Sequence, residues 1–313
     1  MIQQMRNDSL KGLCCGILAA MAYGLNPLFA LPLYRAGMTP DSVLFHRYTI
    51  AMILLGLFLV CRRKSFRLTL KLWIPAVVGG WLMALSSLFL FLSYRKMDAG
   101  IASTILFVYP VMVAVIMAVF FREKLSVSTI AGIVGALAGV AILYRGGPGS
   151  SLSISGLILV LLSALSYAIY MVALRETNLK ELSPELLTFY AMVFGIPLFL
   201  IRLDFGATLQ WPETLSGWGR AIALAFFPTI LSLLLMTVSI RIIGATKTAI
   251  LGALEPVTAV AVGILVFGEQ LTLRLALGIL VILAAVTVVV SGKQLSGNLR
   301  GIFGTFSLLR RPR

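Results

Sequence analysis

Glu255 stands at the centre of a 23-residue apolar run, residues 245–267, and no other carboxylate lies mid-run anywhere in the chain. An ionised group at the middle of a bilayer costs several kcal/mol, so this carboxyl is expected to be paired, protonated or facing a wet cavity. Such a group suits holding a coupling proton or capturing a substrate ammonium. A structural hydrogen bond to a neighbouring helix is the plainer alternative. Arg47, near the outer end of the run 41–61, suits a substrate carboxylate or a pairing with Glu255, unless it merely snorkels to the interface. His46 beside it is the sole histidine. Without further ligands at metal spacing it makes no metal site and is read as structural or as a modest pH-sensitive group. Tyr23, Asn26, Tyr109, Tyr167, Tyr170 and Tyr190 lie within four further apolar runs. Aromatic walls with a few hydrogen-bonding groups suit a planar or amphipathic solute, although tyrosines also fill gaps between helices and line membrane interfaces.

The elements that must position these groups are apolar blocks of bilayer-crossing length. Ten can be marked: 12–34, 41–61, 72–94, 99–121, 126–144, 155–174, 185–202, 217–240, 245–267 and 272–291. The expected fold is therefore an all-α integral membrane protein of ten transmembrane helices. Pro110 and Pro256 each occupy the twelfth position of a 23-residue block. A proline there removes one backbone hydrogen bond and pushes the preceding turn away. In hydrocarbon the freed carbonyl needs a partner or a water, so both kinks are expected to face the protein interior. Ala131, Gly135 and Gly139 recur every four residues, a stripe that permits close helix packing.

Composition agrees. The chain is 60% hydrophobic and 12% charged, with a mean hydropathy of +1.02, far above the roughly half-apolar soluble average. The net charge of +15 does not indicate nucleic acid, because its placement follows membrane topology. With the amino terminus inside, inner segments hold 18 Lys or Arg and outer segments 7, so both termini are expected in the cytoplasm. Cys14, Cys15 and Cys61 cannot staple an outer loop and read as small packing residues. No Gly-x-x-x-x-Gly-Lys loop is present, which excludes ATP as the energy source. No cofactor or metal is expected. The anticipated partners are a small-molecule substrate, membrane lipids and possible coupling protons.

A repeat organises the blocks. At a spacing of 146, Pro110-Val111, Phe121, Glu123, Leu125, Gly132 and Ile133 recur as Pro256-Val257, Phe267, Glu269, Leu271, Gly278 and Ile279. At a spacing of 144, Gly12, Leu13, Leu18, Ala20 and Tyr23 recur as Gly156, Leu157, Leu162, Ala164 and Tyr167. A basic amino terminus before an apolar run could mark a cleaved leader, but this second register ties the first helix to an internal one and so to the fold. Each unit, 11–146 and 155–292, has five blocks, joined by the flexible stretch 146–151. Five is odd, so the second unit starts on the opposite side of the membrane and the halves are inverted. Residues 293–313 form a basic cytoplasmic tail, either an amphipathic helix on the inner leaflet or an unstructured segment.

Paired five-span halves, each with a mid-helix Pro, a Glu-x-Leu turn and a Gly-rich closing helix, resemble the drug/metabolite transporter superfamily, most closely its ten-span EamA type. The residues that carry the resemblance are Pro110, Glu123-Lys-Leu125 and Gly132 through Val140, with Leu254-Glu-Pro-Val257, Glu269-Gln-Leu271 and Gly278 through Val286. Arg47 also fits. The resemblance covers about 280 residues. It implies a plasma-membrane transporter of small metabolites (amino acids, nucleobases or drug-like solutes), often an exporter and in bacteria an inner-membrane protein. It also implies a cavity between spans 1–4 and 6–9. A membrane-embedded enzyme acting on lipid-linked substrates, or an uptake permease of the same fold, is the alternative reading.

Overall fold

A chain this apolar must satisfy its own backbone, and the helix does so within a single segment. In the computed structural model, which describes residues 2–122, 127–144, 153–243, 248, 251–252, 254–285 and 287–288, the described residues form helices and turns with no strand. Among the described residues, seven helical stretches are long and apolar enough to cross a membrane: Leu10–Arg35, Pro40–Cys61, Leu70–Ser93, Ala99–Phe121, Ile154–Leu174, Pro184–Arg202 and Leu215–Ser239. Three shorter apolar helices are Ile130–Gly139, Leu254–Phe267 and Leu273–Ala285. The Gly-rich linker, Glu123 and the tail 293–313 lie outside the described residues.

The local signals for these helices are ordinary. Thr39 caps α3 (Pro40–Cys61), its Oγ1 accepting the Ser42 N–H at 3.3 Å, with Pro40 in the first turn. Ser183 and Thr214 cap α9 (Pro184–Arg202) and α10 (Leu215–Ala225) in the same way. The less ordinary feature is where helices stop mid-stretch. Leu10–Arg35 is divided into α1 (Ile2–Gly24) and α2 (Asn26–Arg35), with Pro27 in the first turn of α2. Ala99–Phe121 is divided into α5 (Ala99–Leu106) and α6 (Tyr109–Phe121), with Pro110 second in α6. After α10 the chain widens into a π-turn, Phe226–Leu231, holding Pro228, before α11 (Ser232–Ile243). Pro256 is third in α12 (Leu254–Phe267). The expected kink at Pro110 is thus a full break.

Two of the carbonyls freed by these prolines are recaptured by the adjacent side chain. Pro27 cannot donate to Tyr23 O, and Asn26 Nδ2 does so instead at 2.9 Å. Pro228 cannot donate to Leu224 O, and Thr229 Oγ1 does so at 3.1 Å. A short polar residue next to proline is therefore part of how each break survives in an apolar setting.

Packing joins the two parts of the chain at many points. The helix α1 runs along α11, and α8 (Ile154–Glu176) runs along α4 (Leu70–Ser93). Ser232 Oγ donates to Ala19 O at 2.9 Å, and Ser163 Oγ donates to Ser86 O at 2.7 Å. A side chain added at Gly12 would strike Ile243 and Ile242, and one at Gly156 would strike Met97 and Lys96. The amino-terminal helix is accordingly seated in the bundle. In α7 (Val127–Tyr144), an added Cβ at Gly135 would lie 2.9 Å from Ala285 and one at Gly139 only 2.5 Å from Ile282. The small-residue stripe does mediate close packing at these two positions, whereas Ala131 is exposed.

Overpacking of a tight helix contact typically costs about 1–3 kcal/mol. Gly139→Leu should therefore lower the melting temperature of the detergent-solubilised protein, while Ala131→Leu should leave it nearly unchanged. Equal effects at the two positions would refute this account of the α7 contact.

Candidate functional site: a cavity at the helix breaks

Four breaks converge on one point. Tyr23 is the last residue but one of α1, Tyr109 opens α6, Ser232 opens α11 and Glu255 is second in α12. With Ser86, Tyr167, Leu106, Leu233 and Met236 they line a cavity of about 20 Å³, room for roughly one water. The approach is close because Gly24 has no side chain: a Cβ there would lie 2.6 Å from Glu255 O and 2.7 Å from Thr258 Cβ. Tyr109 and Tyr167 meet edge to face at 4.7 Å, and Tyr167 stacks on Tyr170 at 6.1 Å.

An acidic and a basic side chain share this interior. Glu255 forms no ion pair among the described residues, whereas Arg202 is bridged to Asp41 at the surface. Arg47 is only 2% exposed, so it does not snorkel. Its Nε donates to Thr229 Oγ1 at 2.8 Å, and its guanidinium lies over the Phe91 ring at 5.4 Å. The Tyr23 hydroxyl lies beside Arg47 and within electrostatic reach of Glu255. A site that offers a carboxylate, a guanidinium and hydroxyls against aromatic walls can bind a polar or charged solute by several directed contacts.

The remaining candidates lie elsewhere. Tyr170 and Tyr190 line a separate narrow gap with Gly79, Gly80 and Leu179, and the Tyr190 hydroxyl donates to Phe66 O. Asn26 is buried and bonds to Tyr23 O, while its Oδ1 has no partner among the described residues. His46 sits under a loop, its Nε2 2.9 Å from Gln210 O and its ring against Trp211 and Trp218. Beyond the spans, Glu269 accepts the Ala99 N–H at 3.1 Å, joining the end of α12 to the start of α5. Burial, with Asp98 second, pushes its carboxyl above the usual range.

Sequence reasoning missed Ser86, Ser232 and Thr229. For the two serines the signal was present: the 146 spacing continues upstream, where Leu85, Ser86, Leu88 and Ser93 match Leu231, Ser232, Leu234 and Ser239, whereas Thr229 falls opposite Met83.

Leaving a buried carbonyl unpaired costs about 1–3 kcal/mol. Asn26→Ala should destabilise the protein by that order, and Pro27→Ala, which restores an N–H for Tyr23 O, should reduce the loss. A double-mutant cycle by thermal unfolding that shows simple additivity would disprove the assigned pairing.

Comparison with known proteins follows the same outline. The model of the EamA-like transporter family matches twice, over residues 10–145 and 154–291. An uncharacterized transporter of Archaeoglobus fulgidus is 26% identical over 255 residues, covering 81% of this chain and 89% of that one. The uncharacterized inner membrane transporter YicL of Salmonella typhimurium is 28% identical over 233 residues, covering 72% of this chain and 74% of its own. One solved crystal structure superposes with a TM-score of 0.65 at 18% identity, covering 89% of this chain and 96% of the other; at that identity it speaks for the fold alone. The apolar helices and the two family matches together make this a multi-pass membrane transporter rather than an enzyme, and the chain belongs to the EamA-like transporter family.

Proposed function

We propose that the protein is a secondary transporter whose ten spans form two inverted five-helix halves, and that it moves a small metabolite through the central cavity by alternating access. The observation that carries this reading is a set of paired contacts. Ser232 on Ala19 corresponds to Ser86 with Ser163 at the two repeat spacings, and Gly12 on Ile242–Ile243 corresponds to Gly156 on Lys96–Met97. The cavity lining pairs likewise: Tyr23 with Tyr167, Ser86 with Ser232, and Tyr109 with Glu255. Halves that interlock through equivalent contacts can exchange conformations, and the exchange opens the opposite face. Residues 11–146 and 155–292 are then the two working units. The lysine and arginine distribution supports cytoplasmic termini, with the basic tail on that side, in a plasma membrane that is the inner membrane in a bacterium.

In this reading Glu255 holds a coupling proton or a substrate ammonium, and Arg47 receives a substrate carboxylate. Tyr23, Tyr109 and Tyr167 supply the walls. Amino acids, nucleobases and drug-like solutes all fit that chemistry, and the direction proposed is export.

Survival of overexpressing cells on toxic amino-acid and nucleobase analogues should identify a solute, whose uptake into everted vesicles can then be followed against pH. Glu255→Gln should abolish the pH dependence of that uptake, whereas Glu213→Gln, in an exposed loop, should preserve it. Unchanged rate and pH profile in Glu255→Gln would exclude the coupling role.

A further inference from the structure

The connection between α9 and α10, residues 203–214, is fastened to the start of α3 by one residue. Gln210 uses three different polar groups there. Its Oε1 accepts the Thr39 N–H at 2.6 Å, its own N–H donates to Ser42 Oγ at 3.1 Å, and its carbonyl lies 2.9 Å from His46 Nε2. Just before the loop, Arg202 grips Asp41 through Nε at 2.5 Å and Nη2 at 3.2 Å. The His46 ring lies 5.0 Å from Trp211 and 5.7 Å from Trp218, and the two indoles are 5.9 Å apart.

His46 and Arg47 are consecutive, yet they face different partners. His46 is held by the loop and by Trp218 of α10, while Arg47 turns inward to Thr229 in the π-turn that follows α10. Thr229 already replaces the hydrogen bond lost at Pro228, so its hydroxyl donates to Leu224 O while accepting from Arg47. The dipeptide therefore spans from the surface loop to the π-turn just before the cavity-lining Ser232 and Leu233, and it touches the apolar stretch Leu215–Ser239 at two places, Trp218 and Thr229. A π-turn is a register defect that a helix can shift. One grip before it, at Trp218, and one within it, at Thr229, resist that shift only while both hold.

We propose that residues 203–214 are a strap that positions Arg47, with Gln210 as its fastening. Release of Gln210 from α3 lets the dipeptide move and frees Arg47 from Thr229. Conversely, an anionic group that draws Arg47 off Thr229 loosens the strap, because coupling between two sites is reciprocal. Gln210 is a positioning residue in this scheme, since it does not line the cavity. The inference concerns the strap and Arg47 and stands apart from the transport direction, the coupling ion and the role of Glu255.

The chain has four tryptophans, and Trp73→Phe with Trp81→Phe leaves Trp211 and Trp218 as reporters of the strap. In nanodiscs, Arg47→Met should raise the iodide quenching constant of these indoles roughly twofold, as a shift of population toward the released strap would. Arg47 has no ring contact with either indole, so an unchanged constant in the folded variant would overturn the proposal. From the other end, Gln210→Ala should accelerate amide exchange in Phe226–Leu231, read by mass spectrometry. Exchange at the parent rate there would equally overturn it, and this arm serves if Arg47→Met does not fold. Neither readout uses transport, so failure here leaves the transporter reading intact, and loss of transport leaves the strap to be judged by its own signals.

Discussion

A proline inside an apolar helix leaves one carbonyl that hydrocarbon cannot solvate, and the architecture of this protein depends on where those carbonyls are placed. Pro27, Pro110, Pro228 and Pro256 each fall at or next to a helix break, and the breaks meet. Such a meeting point must be polar, because only polar side chains or water can complete the backbone there. Asn26 and Thr229 do so directly. Once the interior is polar for structural reasons, a carboxylate and a guanidinium become tolerable within it. The cavity that Glu255 faces follows from the backbone's need for partners.

The two buried charges give this site its character. Arg47 rests on a hydroxyl and an aromatic ring, and Glu255 has no cation partner among the described residues. Groups held this way are less fully compensated than an ion pair, which is what the proposed ligand and proton roles rest on. The cavity holds about one water, so the proposed passage of a metabolite needs the broken helices to move apart.

Much of the fold was legible because apolar block length and the two repeat spacings are strong, additive signals. The mid-block position of Glu255 and the pairing of Tyr23 with Tyr167 led directly to residues that line the cavity. Other placements could not be read. Tyr170 shares α8 with the lining Tyr167 but faces another gap, and Tyr190 lies on α9, which contributes nothing to the cavity; one sequence does not encode helix rotation or which helices meet. His46 was judged by its depth in a span, whereas a loop more than 160 residues downstream decides its surroundings. Ser86, Ser232 and Thr229 escaped notice because serine and threonine are unremarked in membrane helices until their partners are known.

The central claim is that the two halves exchange conformations so that one face of the bundle opens as the other closes. In a protein freed of Cys14, Cys15 and Cys61, spin-label pairs at Met97 with Gln270 and at Arg122 with Ile243 report the two ends of α5–α6, the first against the end of α12 and the second against the end of α11. Pulsed electron–electron distance measurements in nanodiscs should show two populations for each pair, with a lengthened first distance accompanying a shortened second when conditions are varied. Distances that rise and fall together, or a single unvarying population at both ends, would contradict the account.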